Sequence, residues 1–232
     1  MKALVLVMCI VQCVSSQKVC LDSRHHKTLP GPEDRLHEEC IPWKEEACCT
    51  GNTTHGHLHG DTNMYGFTLN FCGSSMSDAC RRHFHRDLCF YECEPNLGPW
   101  IVKVKRKFAR ERFFEVPLCK TDCNAWWDDC RHDWACVRNW AREFRWRNGI
   151  NTCPEKCVRF DELYSNASDF CSNVWDHSWK VVPDDMACMR IWFDGSQGNP
   201  NRAVAEYYRA RRSSAPSLHT SVALLFLSIV LL

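Results

Sequence analysis

Cysteine constrains this chain more than any other residue type. There are 18 in 232 residues, and two of them, Cys9 and Cys13, fall in an apolar run at the N-terminus. The remaining sixteen are an even number and permit eight disulfides. Such density belongs to domains that fold in the oxidising secretory route. Zinc ligation is the other use of so much sulfur. It fits poorly, because the spacings are Cys-x3-Cys and the adjacent Cys48-Cys49, with no pair of CxxC knuckles. Adjacent cysteines send their sulfurs in different directions, so Cys48 and Cys49 tie one segment to two places. Connectivity stays open at this level.

Both ends fit secretion. Lys2 precedes the apolar run Ala3 to Val14, and Val14 and Ser16 are the small residues of a cleavage point before Gln17. Residues 1–16 are expected to be a signal peptide. At the other end, the apolar run VALLFLSIVLL (222–232) is eleven residues long, against the ~20 that a spanning helix needs. Ser213, Ser214 and Ala215 followed by the polar PSLHTS complete a glycolipid (GPI) anchor signal. Ser213 is the expected attachment residue, with 214–232 removed. The protein is then expected on the outer face of the plasma membrane, held through lipid. Asn52-Thr53-Thr54 and Asn166-Ala167-Ser168 are glycosylation acceptors, as on a secreted chain. A net charge of +1 gives no basic field for nucleic acid. No repeat or linker interrupts residues 17–213, which predicts one domain.

The segment from Cys80 to Glu94 lacks Gly and Pro and stops at Pro95, which predicts a helix. Cys80, Phe84, Asp87 and Tyr91 fall on one face of it, and Cys89 and Cys93 on the opposite one. Asp87 therefore sits among aromatics. Inside the core it needs an Arg or backbone N–H. In a pocket, a flat ligand with N–H donors would meet it instead, with Tyr91 against the ring.

Other stretches give further expectations. A helix should start at Pro32 and run to Cys40. Residues 50–61 read as a loop whose His55, His57 and His59 are solvated rather than metal-bound. MYGFTLNFCG (64–73) reads as a short strand carrying Tyr65. Cys119 to Cys136 reads as a second cysteine-pinned helix. A last helix, 200–211, should place Val204, Tyr207 and Tyr208 on its apolar side. The many tryptophans of 126–146 must face several neighbours, and they suit a flat aromatic ligand. Catalysis has no support: there is no Ser/His/Asp motif, no HExxH and no phosphate loop.

The strings HFHRDLCFYECEPNLGPW, VPLCKTDC, WWDDCR, CSNVWDHSWK and WFDGSQGNPN resemble the folate receptor family, from about Cys20 to about Tyr208. That family includes Juno, an egg-surface receptor for a sperm protein, and riboflavin-binding protein is a more distant relation. The resemblance implies a small disulfide-rich α+β domain, mainly helical with a few short strands. It implies the pairs Cys20–Cys48, Cys40–Cys89, Cys49–Cys93, Cys72–Cys157, Cys80–Cys130, Cys119–Cys188, Cys123–Cys171 and Cys136–Cys153.

It also implies a pterin site. Asp87, Tyr91, Trp175, Ser178 and Arg112 match the family's pterin-binding positions. Tyr65 and Trp140 match its aromatic wall, and Trp146 a residue near the mouth. Phe108 stands where the family carries Trp, and Ala109 where it carries an Arg that the neighbouring Arg110 cannot replace if the segment is regular. Ala141 replaces His, Arg142 replaces Lys, Glu143 a small residue and Phe144 a Trp, all towards the end for folate's glutamate tail. Arg142 and Arg145 would attract that tail and Glu143 repel it. The pterin end looks kept and the tail end altered. The implied function is a GPI-anchored receptor that binds folate or a related pterin and carries it in by endocytosis, with folate as ligand and no cofactor. The alternative is a Juno-like adhesion receptor with a sperm-surface protein as partner, supported by the Juno-like strings CIPWKEEACC and CFYEC. Because an ionised Asp87 would hold the ligand, affinity should fall below a pH of about 5.

Overall fold

The computed structural model describes residues 18–55, 65–107 and 109–214. The expected signal peptide, most of the expected anchor signal, His57, His59 and Phe108 lie outside the described residues. The helices are α1 (Gly51–Thr54), α2 (Asp78–Cys93), α3 (Lys120–Cys130), α4 (Phe160–Leu163), α5 (Ala167–Asn173) and α6 (Asn201–Ser213). The strands are β1 (Ile101–Lys103), β2 (Glu111–Phe113), β3 (Val116–Cys119), β4 (Trp134–Ala135), β5 (Arg145–Arg147), β6 (Ile150–Thr152), β7 (Val158–Arg159) and β8 (Trp179–Val182). They form four two-stranded ladders, β1-β2, β3-β8, β4-β7 and β5-β6, of which only β3-β8 is parallel. This is the small, disulfide-rich α+β domain that the sequence implied, and its eight bridges pair as the resemblance implied.

Helix α2 is the axis. The Ser77 side chain accepts from Cys80 N at its start, satisfying a donor with no partner inside the helix. Asp133 accepts in turn from Ser77 N at 3.0 Å. Cys89 and Cys93 fasten the back of α2 to Cys40 and Cys49, while Cys80 fastens its start to α3 through Cys130. The front packs aromatics. Phe84 stacks on Trp140 with centroids 4.5 Å apart and planes 5° from parallel, and Trp126 meets Phe84 edge-on at 5.1 Å. Trp134 and Trp146 remain about half exposed, at 49% and 52%.

Five local expectations are corrected. Residues Gly51–Thr54 of the expected loop wind into the single turn α1, where the Thr50 side chain accepts from Thr53 N. No helix starts at Pro32; a 3-10 helix, Glu38–Trp43, follows instead, with Pro42 inside it. The reason is tertiary: Gly31 N and Glu33 N donate to Ala47 O and Lys44 O, and His37 N to Thr54 Oγ1, so these amides have partners outside any helix. Residues 65–73 form turns rather than a strand. The Asn151 side chain takes the place of a neighbouring strand there, accepting from Thr68 N at 2.7 Å and donating to Thr68 O at 3.1 Å. Gly66 has φ +75°, and a Cβ on it would lie 1.9 Å from Gly149 O, so only glycine lets this segment meet the β5-β6 turn. That turn is Asn148-Gly149, both with positive φ, as a tight hairpin requires.

Helix α3 ends at Cys130, six residues before the expected Cys136. Beyond it, Arg131 O and Asp133 O accept from Asp161 N and Phe160 N, and Trp134 and Ala135 pair with β7. Helix α6 forms as expected but buries Asn201 and Ala205; Tyr207 is 45% exposed, and Tyr208 reaches Trp100 at 5.2 Å. Among the described residues no helix is long and apolar enough to cross a membrane.

Candidate functional site

A cavity of about 390 Å³ opens in front of α2. Its lining comes from four parts of the chain: Tyr65 and Phe67 before α2; Asp87, Leu88 and Tyr91 on α2; Arg106, Lys107, Arg112 and Phe113 around β2; and Trp140, Ala141, Trp175 and Ser178 from the later loops, with Trp146 on β5. Most of the candidate residues thus meet at one place. They meet because the disulfides hold α2 from behind and leave its Asp87 face to the late loops.

Asp87 is 4% exposed. Its Oδ1 accepts from Trp179 Nε1 at 2.8 Å. Trp179 is delivered by the parallel pairing of β8 with β3, in register with Val116. Burial pushes the Asp87 carboxyl up to about 7, against the opposing pull of the Trp179 and Trp175 indoles. Among the described residues neither of the expected structural partners, an Arg or a backbone N–H, is bonded to this carboxylate; the Trp179 indole is. Trp175 stands edge-on to Trp140 at 5.6 Å, and Phe67 lies 5.8 Å from Trp175. Ser178 Oγ donates to Trp175 O at 2.9 Å.

Beneath the tyrosines lies a second buried acid. Tyr65 donates its hydroxyl to Glu92, and His26 Nδ1 is 3.5 Å from Glu92 Oε2. His26 Nε2 also contacts Tyr91 O at 3.0 Å. Burial pushes Glu92 up to about 8 and His26 down, so both tend to the neutral form. The His26 ring meets the Tyr91 ring edge-on at 5.5 Å, so this group touches both tyrosines of the cavity lining.

The cations are arranged differently from the expectation. Arg112 lines the cavity, but its guanidinium also donates to Asp176 O at 2.7 Å and to Trp175 O at 3.3 Å, and Nη1 is 3.4 Å from Asp176 Oδ2. It holds the Trp175–Ser178 loop, whose Asp176 and His177 have φ of +56° and +59°. Arg142 does not line the cavity. Its Nε is 2.6 Å from Asp176 Oδ1, on the outer side of the same carboxylate, and its side chain is 68% exposed. Burial raises the Asp176 pKa, but hydrogen bonds from Arg142 and Asn139 and the charge of Arg112 outweigh it and hold the group below the usual carboxylate range.

Glu143 accepts from Arg138 N and Asn139 N at 2.9 and 3.0 Å, closing a turn. Phe144 is buried against Phe67 and Phe71. Glu143 and Phe144 are thus structural departures, and they do not line the cavity. Arg110 is 85% exposed and faces Asp22 at 3.7 Å, away from the site. Arg106 and Lys107 line the cavity in its place. Sequence reasoning missed both, along with Phe67, Leu88 and Phe113. The basic run Lys103 to Lys107 was their signal, but it carries no mark of which side chain turns inward.

Both glycosylation acceptors are exposed. Asn166 also caps α5, accepting from Asp169 N at 3.0 Å. His55 lies against the His37 ring at 5.1 Å.

Residues 19–190 match the model of the folate receptor family. The chain is 46% identical over 202 residues to folate receptor alpha of Bos taurus, covering 84% of this chain and 83% of that protein. It is 45% identical over 206 residues to folate receptor gamma of Homo sapiens, covering 86% and 83%. It is also 32% identical over 194 residues to riboflavin-binding protein of Gallus gallus, covering 82% and 78%.

Proposed function

The chain belongs to the folate receptor family, and on that premise we propose that it is a cell-surface receptor binding folate in the cavity before α2. One observation carries the reading. A carboxylate that is 4% exposed lines an aromatic cavity, bonded to an indole N–H and, among the described residues, to no cation. A buried carboxylate in that state suits a ligand that brings its own N–H donors. The edge of a pterin does so, and its flat ring suits a slot between Tyr91 and Trp175. Ser178 and Arg112 supply donors for the ring's carbonyl side. Arg106 and Lys107 offer cations to the carboxylates of the tail, which revises the expectation of a weakened tail site. The reading is of a binding protein that leaves its ligand chemically unchanged.

The anchor belongs to the same proposal. Ser213 closes α6 and is exposed, so attachment there would hang the domain from the membrane by its last helix. Release of cell-surface protein by a phosphatidylinositol-specific phospholipase is the expected behaviour. Endocytic uptake of the vitamin would follow from such display.

Tryptophan fluorescence tests the site. Secreted residues 17–213 are titrated with folic acid and with riboflavin, beside Asp87→Ala. Folate should quench the wild type, and the variant should bind roughly tenfold to a hundredfold more weakly, the ~1.5–3 kcal/mol of a charged hydrogen bond. Quenching by riboflavin alone would move the ligand to the isoalloxazine class. No response to either would sink the vitamin reading. Adhesion to a sperm-surface protein would then be the one to pursue.

A further inference from the structure

Four cysteines stand together beside the walls of the cavity. Cys72–Cys157 and Cys136–Cys153 are two separate bridges, yet their four sulfurs all lie within 4.8 Å of one another. Across the two, Cys153 Sγ is 3.4 Å from Cys157 Sγ. Cys72–Cys157 is also the only one of the eight bridges in which neither cysteine is buried. Its two cysteines are half-buried, which leaves this bridge partly open to a thiol, and exchange proceeds by attack of a thiolate on a disulfide sulfur.

We propose that these two bridges form a disulfide-exchange site that an external thiol re-pairs as Cys72–Cys136 and Cys153–Cys157. The thiol is a low-molecular-weight thiol or one sulfur of a dithiol oxidoreductase. Its thiolate attacks Cys72 Sγ and makes a mixed disulfide, and the Cys72–Cys157 electron pair leaves on Cys157 as a thiolate. Cys157 then attacks the neighbouring Cys153 Sγ. The Cys153–Cys157 bond forms, the Cys136–Cys153 bond breaks, and Cys136 leaves as a thiolate. Cys136 attacks Cys72 Sγ in the mixed disulfide and expels the external thiolate. Two bonds have formed between protein sulfurs and two have broken. The thiol is regenerated, and no net electrons are transferred.

The exchange acts on the cavity. Cys136–Cys153 closes the segment that carries Trp140, Ala141 and Trp146, three of the lining residues. After exchange that segment is no longer closed on itself, and Cys136 is tied to the Cys72 loop that follows Phe67. This goes beyond vitamin binding, and its test is independent of any ligand.

The folded, secreted protein is incubated with reduced glutathione at neutral pH, quenched by alkylation, digested with trypsin and chymotrypsin and mapped by mass spectrometry without reduction; chymotrypsin cuts after Tyr65, Phe67 and Phe71 and so frees Cys72 from Cys48 and Cys49. Lys156 lets trypsin separate Cys153 from Cys157. Linked peptides Cys72–Cys136 and Cys153–Cys157 should appear at the expense of the native pair, with the other six bridges intact and no gain in alkylated cysteine. Persistence of both native links until other bridges open overturns the proposal. So does opening of Cys72–Cys157 to two alkylated thiols with no new cross-link. In the double variant Cys72→Ser/Cys157→Ser, Cys136–Cys153 should resist the same thiol; exchange at the wild-type rate would equally refute the mechanism.

Discussion

At the scale of single residues, Asp87 decides how binding responds to pH. Its pKa in the empty cavity is pushed up to about 7 by burial. A ligand that donates to the carboxylate favours the ionised form and lowers that value. Ligand binding therefore expels a proton at neutral pH. Affinity should begin to fall as pH drops through about 7, and go on falling until the pKa of the complex is passed. This onset lies above the pH of about 5 that an ordinary carboxylate would give. Binding measured from pH 8 to pH 5 checks it: Asp87→Asn should be weak throughout and flatter than wild type, and parallel curves would refute the assignment. The sign for stability is opposite. A carboxyl whose folded pKa is raised contributes stability below its unfolded value near 3.8, and that contribution is lost as pH rises through about 7. The empty Asp87→Asn protein should thus melt above wild type at pH 8 and not at pH 4. Function at this residue is held against the stability of the empty fold.

At the scale of elements, the Trp175–Ser178 loop is the part whose shape must be maintained. Two successive residues in the left-handed region are uncommon outside glycine and persist only where neighbours fix them. Arg112 and Asn139 provide that fixing, with Arg142 on the outer side of Asp176. The resemblance alone would read Arg142 as a contact for the glutamate tail. The geometry makes it a positioning residue. Arg142→Ala should then weaken folate and a tail-less pteroate by the same factor, a few-fold, because Trp175 and Ser178 belong to the pterin end. Loss confined to folate would restore the tail contact. The binding of both ligands to one variant separates the two.

At the scale of the whole molecule, the ends are knotted to the middle by one buried acid. Glu94 is 2% exposed and accepts from Trp43 Nε1, Asn199 Nδ2 and Asn201 Nδ2 at 2.9–3.0 Å. It also accepts from Asn96 N at 2.9 Å. These groups join the 3-10 helix, the turn after α2 and the start of α6. Glu94→Ala leaves several buried donors without a partner and should cost about 3–5 kcal/mol, read as a fall in denaturation midpoint. Bridges add a comparable restraint of roughly 2–5 kcal/mol each, so the fully reduced chain should not hold the fold.

What was legible in the sequence was what depends on local order and on covalent chemistry. Sixteen cysteines beyond the N-terminal run required an oxidised, cross-linked domain. A run free of Gly and Pro, ended by Pro95, required α2, and its period put Asp87 and Tyr91 on one face. Asn148-Gly149 required a tight turn. The resemblance then supplied the pairing of the bridges and the members of the site. What failed were places where a distant group competes for the backbone. The amides near Pro32 are taken by residues 44–54, the strand expected at 64–73 is met by the Asn151 side chain, and α3 stops where Arg131 and Asp133 serve α4. Only the tertiary structure decided which cations reach the cavity. Arg106, Arg110 and Arg112 are alike in sequence, but a side chain's direction depends on strand pairing and on the carboxylates it meets. Asp22 holds Arg110 outside, while Asp176 draws Arg106, Arg112 and Arg142 to one carboxylate, the first two from the cavity lining and Arg142 from outside it. Composition and period set the elements, because they act within a few residues. The electrostatics of the site waited on the fold, because a charge acts through space on whatever the disulfides bring near.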